Sequence, residues 1–399
     1  MEDFIGVIMR HHLLPGFRWS VFWALLLWIG WPSVGEGAPV DDSEEAGWIE
    51  GRIESMSLAQ KLGQLLMVGI QGRALTSGLE DHFRRIQVGG VILMAPNLGS
   101  EDEVRKLALG LQTRALIDTG VPILIAVDQE GGEVNRMGQV FGQKSASYSA
   151  RLIGRLYDYD YPRSSRLIRK VAHSLAQRMR SVGINMNLAP VLDLSGDVQS
   201  FIYDRSYGSS PEKVTIIARD LAISMRSAGV VATGKHFPNL SDTRTDSHVD
   251  LPVVNKKVAE LAQHEWKPFI NLRNDLDALM VGHILLPDVD PHHPASVSVR
   301  VGHLLREKIG FRGVVITDDL RMGALKNRYS MIEAVLRAFF SGYDVMLGLW
   351  DPEDQVQILR ALEKAALRNF LTEERINQSL RRILTLKFKM KNFGANGGT

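Results

Sequence analysis

The chain has 399 residues, of which 45% are hydrophobic and 23% charged, with a formal net charge of +2. Those proportions suit an ordinary globular protein, and the near balance of charge gives no reason to expect a nucleic-acid partner. There is no cysteine, which excludes disulfides, thiolate metal sites and a cysteine nucleophile.

In chain order, Arg10 and Arg18 precede an apolar run from Val21 to Trp31, followed by Pro32 and the small residues Gly35, Gly37 and Ala38. The pattern predicts a signal peptide over residues 1–38, and so an exported protein, periplasmic or secreted. The run is eleven residues long, against the about 20 that a spanning helix needs, and initiation at Met9 would give a more usual signal length. The alternative is an uncleaved membrane anchor, which would make this segment the only membrane attachment. Four of the seven tryptophans, Trp19, Trp23, Trp28 and Trp31, fall within it. The acidic stretch DDSEEAG then reads as part of a linker over 39–56.

From 57 to 391, short β-branched apolar runs alternate with charged amphipathic segments, the signature of βαβ units and a parallel sheet. The predicted strands cover 62–69, 88–94, 123–128, 184–194, 230–237, 278–285, 313–319 and 343–349. Helical patterns include 101–118, 166–181, 211–228, 254–271, 352–369 and 372–391. Eight strands in this alternation predict an α/β fold, a single (β/α)8 TIM-type barrel, with a flexible tail over 392–399.

Polar residues collect at the carboxyl ends of the predicted strands, where such barrels place their chemistry. Strand three ends in Asp128 and leads to Arg136; Arg205 follows strand four; Lys235 and His236 end strand five; His283 ends strand six; Asp318 and Asp319 end strand seven. The densest stretch is KHFPNLSDTRTDSHVDLP, from Lys235 to Pro252. Within it Asp246 and His248 stand two apart, so in extended or turning backbone the carboxylate reaches an imidazole nitrogen. Singly, each residue has a structural reading: Arg205 as a fork on a loop carboxylate, His283 as a satisfied core histidine, Asp319 as a partner of a backbone amide or of Lys235. Together, five strand ends argue for a site. A rigid Asp318 suits nucleophilic attack on an anomeric carbon. His248, oriented by Asp246, suits the proton shuttle that a second carboxyl group usually provides. Asp128, Arg136, Arg205, Lys235 and His236 are left to grip sugar hydroxyls.

The runs LGQLLMVG, GGVILM, DQEGGEVNRM, GINMNLAPVLDL, DRSYG, KHFP followed by DTRTDSH, LMVGHILLPDVD with PASVS, and GVVITDDLRMGAL resemble those of family 3 glycoside hydrolases of the β-N-acetylhexosaminidase type, a branch that includes the peptidoglycan-recycling glucosaminidases. The resemblance implies Asp318 as nucleophile and His248 as acid/base with Asp246 as its partner. It implies sugar binding by Asp128, Arg205, Lys235 and His236, a retaining double displacement, and neither metal nor cofactor. The activity it implies is exo-acting release of terminal β-linked N-acetylglucosamine from peptidoglycan fragments or chitooligosaccharides, by what is expected to be a monomer with a carbohydrate as its partner. Two departures stand out. Asn239, Leu240 and Ser241 replace a glycine-rich loop, which is expected to lose easy access to positive φ, and Glu133 stands where arginine is typical. The alternatives are a β-N-acetylglucosaminide phosphorylase, a catalytically impaired barrel that binds cell-wall glycan, and a metal-dependent hydrolase built from His236, His248, His283 and Asp318.

Overall fold

The computed structural model describes residues 42–142, 148–241 and 243–395; the predicted signal peptide over 1–38 lies outside them. Eight parallel strands form one sheet: β1 (Leu66–Gly69), β2 (Gly90–Ile92), β3 (Leu124–Val127), β4 (Met186–Asn187), β5 (Val231–Phe237), β6 (Ala278–Val281), β7 (Val314–Thr317) and β8 (Met346–Leu349). Neighbours in sequence are neighbours in space, and β8 pairs back onto β1. The remaining seam is closed by a parallel bridge between Ile316 and Val345 and by the bond from the Thr317 amide to the Val345 carbonyl, 3.0 Å. The sheet is therefore a (β/α)8 barrel, and all eight strands are buried, as expected of parallel strands covered by helices on the outside and side chains within.

The strands are shorter than the apolar runs that announce them, for local reasons. In the run 62–69, Ser57 and Gln60 form a capping box that starts a helix over Leu58–Gly63, so only the last four residues extend. In 184–194 only Met186–Asn187 form a strand, with a single further bridge from Val191 to Lys235: Asn185 and Asn187 direct their side-chain amides onto the backbone of Ile125 and Gln129, and Pro190 lacks the N–H a ladder needs. The helix expected over 254–271 is two helices, Val258–Gln263 and Lys267–Leu272, the second begun by Pro268 in its first turn.

The stretch read as a linker, 39–56, carries a helix over Asp42–Ser55. Ile49 and Ile53 are buried in the core, Trp48 packs on Phe388 with ring centroids 5.3 Å apart, and Glu50 accepts two bonds from Arg381 at 2.7 and 3.0 Å. An acidic helix start that reads as solvated linker thus hides an apolar face that the last helix, Glu373–Ala395, covers. No helix among the described residues is long and apolar enough to cross a membrane.

Candidate active site

At the carboxyl ends of β3, β4 and β5 lies a buried charge network. Lys235 Nζ sits 2.7 Å from Asp128 Oδ1 and 2.7 Å from Glu130 Oε1. Arg205 forks onto Glu130 through Nε and Nη2, each at 2.8 Å. Burial opposes the charge on Glu130, but Lys235 and Arg205 outweigh it and hold its carboxyl far below the usual range. Burial equally opposes the charge on Lys235, and Asp128 and Glu130 outweigh it, so its pKa is raised. Two cations and two anions thus balance, leaving Lys235 one N–H to direct at a ligand. Arg205 holds a loop carboxylate, the structural role weighed for it.

His236 Nδ1 lies 2.6 Å from Oδ2 of Asp193, a wholly buried carboxylate that also accepts the amides of His236 and Leu240, at 3.0 and 2.6 Å. With Nδ1 so engaged, Nε2 is the nitrogen left for a ligand. Arg136 follows a short ribbon formed by Gln129–Gly131 and Val134–Asn135, and its Nε is buried without a hydrogen-bond partner among the described residues. Glu133 is exposed at the turn of that ribbon.

Asp318 directly follows β7. Its amide donates to the Val281 carbonyl at 2.9 Å, and its Oδ1 accepts the Asp319 amide at 2.8 Å. Burial would raise its pKa; the His283 and His236 imidazoles, the Asp319 N–H and Lys235 outweigh burial and hold it below the usual range. Asp318 is therefore an ionised carboxylate at the barrel mouth. Asp319 turns the other way, accepting the Arg321 amide and Trp350 Nε1, both at 2.9 Å. Its partners are an amide and an indole, while Lys235 goes to Asp128 and Glu130. Two glycines make room for this corner: a Cβ on Gly348 would lie 2.0 Å from Asp319 Oδ1, and one on Gly69 would lie 1.9 Å from the Trp350 ring. His283 is fully buried, with Nδ1 2.7 Å from Ser296 Oγ and Nε2 2.8 Å from the Asp319 carbonyl. Burial lowers its pKa, and with both ring nitrogens engaged it is the satisfied core histidine that its position suggested.

Asp246 Oδ1 accepts both the His248 amide, at 2.9 Å, and His248 Nδ1, at 2.7 Å. Burial works against the Asp246 charge, and these bonds prevail, so its pKa is lowered. The pair rides on a loop fastened to the turn after β7: the amides of Gly323 and Ala324 donate to the carbonyls of His248 and Ser247, at 3.0 and 3.2 Å. A Cβ on Gly323 would stand 2.3 Å from the Val249 carbonyl oxygen, so the close approach depends on glycine. His248 is 64% exposed and lines a cleft of about 400 Å³ together with Asp319, Arg321, Met322 and Lys326.

Upstream, the loop expected to lose positive φ keeps it: Asn239 has φ 97° and Ser241 φ 51°. The buried Asn239 side chain accepts the amides of Ser241 and Leu194, at 2.8 and 3.3 Å, and donates to the Leu192 and Glu265 carbonyls, both at 3.3 Å. Those bonds hold the left-handed turn where a glycine would adopt it freely.

Sequence reasoning missed Glu130, Asp193 and Trp350. Glu130 stands inside the quoted DQEGGEV stretch and Asp193 at the end of NLAPVLDL, so both had a positional signal; Trp350 directly follows the last strand. Among the described residues no group of three or more histidine, aspartate or glutamate side chains is placed to hold a metal ion.

A parallel barrel with a buried carboxylate, paired cations and a carboxylate–histidine couple at its carboxyl-terminal mouth defines a barrel enzyme, and its relatives make it a glycoside hydrolase acting on O-glycosyl bonds. Residues 57–386 match the family described as Glycosyl hydrolase family 3 N terminal domain, and the chain belongs to that family. It is 34% identical over 303 residues to a beta-hexosaminidase of Pseudomonas aeruginosa PAO1, covering 75% of this chain and 86% of that protein. It is 31% identical over 299 residues to a beta-hexosaminidase of Nitrosomonas eutropha, covering 75% of this chain and 84% of that protein. Among solved structures, a glycoside hydrolase family 3 beta-N-acetylglucosaminidase from Paenibacillus sp. str. FPU-7 is similar at TM-score 0.79 and 35% identity, covering 86% of this chain. The chain spans 64% of the length of that structure.

Proposed function

We propose that the protein is an exo-acting, retaining β-N-acetylglucosaminidase. The ionised Asp318 attacks the anomeric carbon while His248 Nε2 gives its proton to the departing glycosidic oxygen, forming a covalent glycosyl-enzyme and the free aglycone. His248 then takes a proton from water, the hydroxide displaces Asp318, and both residues return to their starting states. Asp246 fixes the ring so that Nε2 is the working nitrogen and stabilises the charge that forms on it. Asp128, Lys235 and His236 bind the terminal sugar, together with Arg136, whose Nε has no hydrogen-bond partner among the described residues. The observation that carries this reading is the 2.7 Å Asp246–His248 pair, anchored by Gly323 to the turn that follows Asp318. The names of the related beta-hexosaminidases support the acetamido sugar. Peptidoglycan fragments or chitooligosaccharides are the proposed substrates. Export through residues 1–38 and a monomeric state complete the proposal, checked by N-terminal sequencing of the mature protein and by sedimentation.

The first test is turnover of an aryl β-N-acetylglucosaminide beside the matching β-glucoside, with Asp318→Ala as control. Release from the acetamido sugar alone, with retained anomeric configuration and loss in the variant, is expected. Release from the glucoside, or an inverted product, overturns the reading, and formation of a sugar 1-phosphate on adding phosphate replaces it with phosphorolysis.

A further inference from the structure

On a chain whose formal net charge is only +2, cations gather at the end of the barrel away from Asp318. A cavity of about 440 Å³ opens where Asp277 leads into β6 and Gly313 into β7, and the last helix forms its other wall. Six of its lining residues are cations, Arg226, Arg273, Arg312, Arg381, Arg382 and Lys389, against one carboxylate, Asp277.

Three of the six have structural work. Arg226 pairs with Asp277 at 3.2 Å, Arg381 with Glu50 at 2.7 Å and with Glu374 at 3.5 Å, and Arg382 with the buried Asp344 at 3.0 Å. The other three do not. The side chains of Arg312 and Lys389 make no hydrogen bond or ion pair among the described residues, and Arg273 gives one bond, to the Ile270 carbonyl at 2.6 Å. All three are exposed. Arg273 follows the helix Lys267–Leu272, where a cation suits the carbonyl end of the helix dipole, but that bond uses one N–H and leaves the others of the guanidinium. A lone exposed cation is an ordinary solvated charge. Three around one cavity whose single lining carboxylate is already held raise one another's energy, which an anion between them relieves.

The donor set says what kind of anion. Guanidinium forks match phosphate oxygens in pairs, and a lysine ammonium adds a point charge. A phosphate gathers its charge on one tetrahedral group, so a few linked phosphates engage all three cations from one small ligand, where carboxylates would need as many separate arms. Barrel closure does not ask for such a cavity, and the face opposite the carboxyl-terminal mouth is free of the glycosidic chemistry.

We propose that Arg273, Arg312 and Lys389 form a binding site for a ligand bearing clustered phosphates, at the base of the barrel and separate from the sugar site. The paired Arg226, Arg381 and Arg382 shape its walls. That site is independent of the reaction assigned to Asp318 and His248.

The first probe is tripolyphosphate, titrated into the full chain by calorimetry at low salt. Saturable binding is expected, weakened at least about tenfold by Arg273→Gln, Arg312→Gln and Lys389→Gln together, and weakened progressively by added salt. A control removes the same charge outside the cavity: Arg163→Gln, Arg166→Gln and Lys170→Gln, exposed on the helix Tyr161–Ser181, are expected to leave the affinity within about twofold. Urea midpoints check that both triple variants are folded, and Arg312→Glu alone, a change at one exposed side chain, is expected to weaken binding as well. The second probe is vesicles of phosphatidylglycerol beside vesicles of phosphatidylcholine. Selective pelleting with the former that the cavity variant loses assigns the phosphates to a lipid surface; tripolyphosphate binding without such pelleting assigns them to a soluble ligand. Binding of neither probe, or equal losses in the two triple variants, overturns the proposal.

Discussion

Asp318 stays ionised in a buried place because the surrounding positive groups and the Asp319 amide outweigh desolvation. Taking away one of those groups makes the sign testable. Lys235→Met removes a cation, so the neutral carboxyl is favoured, its pKa rises, and the acid limb of the kcat/KM profile moves to higher pH; a limb that stays put or moves to lower pH contradicts the assignment. His248→Ala is expected to slow a natural disaccharide by about 100-fold or more, within the ordinary range for general acid catalysis, and an aryl glycoside with a good leaving group far less. Equal losses on both substrates would remove His248 from the acid role. Legibility at this scale followed direction along the chain. Asp246 and His248 were readable because a two-residue spacing in turning backbone brings their side chains together. Glu130 and Asp193 were not singled out because each acts through residues distant in sequence, 75 positions away for Glu130 with Arg205 and 43 for Asp193 with His236.

Between Phe237 and the dyad, the loop shows an element holding its shape with unexpected residues. Asn239 sits at φ 97° with its side chain bonded to four backbone groups. Asn239→Ala is expected to lower the unfolding free energy by about 2–4 kcal/mol, from the left-handed backbone and the stranded buried groups together. Asn239→Gly relieves the backbone part and costs less, and urea unfolding of the two variants ranks them. The opposite order would mean that the left-handed backbone contributes little. Composition read the loop as deprived of positive φ because it counts glycines; the side chain's capacity to bond its own turn is a tertiary property, since Leu192 and Glu265 supply half of the partners.

Across the whole molecule, the two ends of the described chain meet under the barrel. Deleting 42–55 uncovers the sites of Ile49 and Ile53, each worth about 1.5–3 kcal/mol of burial, so a loss of roughly 3–6 kcal/mol is expected in chemical unfolding; an unchanged midpoint would make the helix dispensable. In the last helix, Lys387 is buried, donating to Gln64 Oε1 at 2.6 Å and the Gly89 carbonyl at 2.9 Å, and burial pushes its pKa down to about 7. An unfolded lysine titrates near about 10.4. Between those values the unfolded chain binds more protons than the folded one, so this residue makes stability rise with pH from about 7 to about 10. Lys387→Met is expected to flatten that rise, and an identical slope in both proteins would contradict it. The sequence by itself determined the barrel, since the alternation of buried runs and amphipathic segments admits few other closures, and it determined the strand ends that bear Asp128, Lys235, His236 and Asp318, because a strand fixes where its last residue emerges. Only the tertiary structure decided which charges neutralise one another, that Trp350 holds Asp319, and that 42–55 is core. Those outcomes depend on contacts between residues as far apart as Glu50 and Arg381, 331 positions in the chain, and no local pattern encodes a distance that closure of the barrel alone creates.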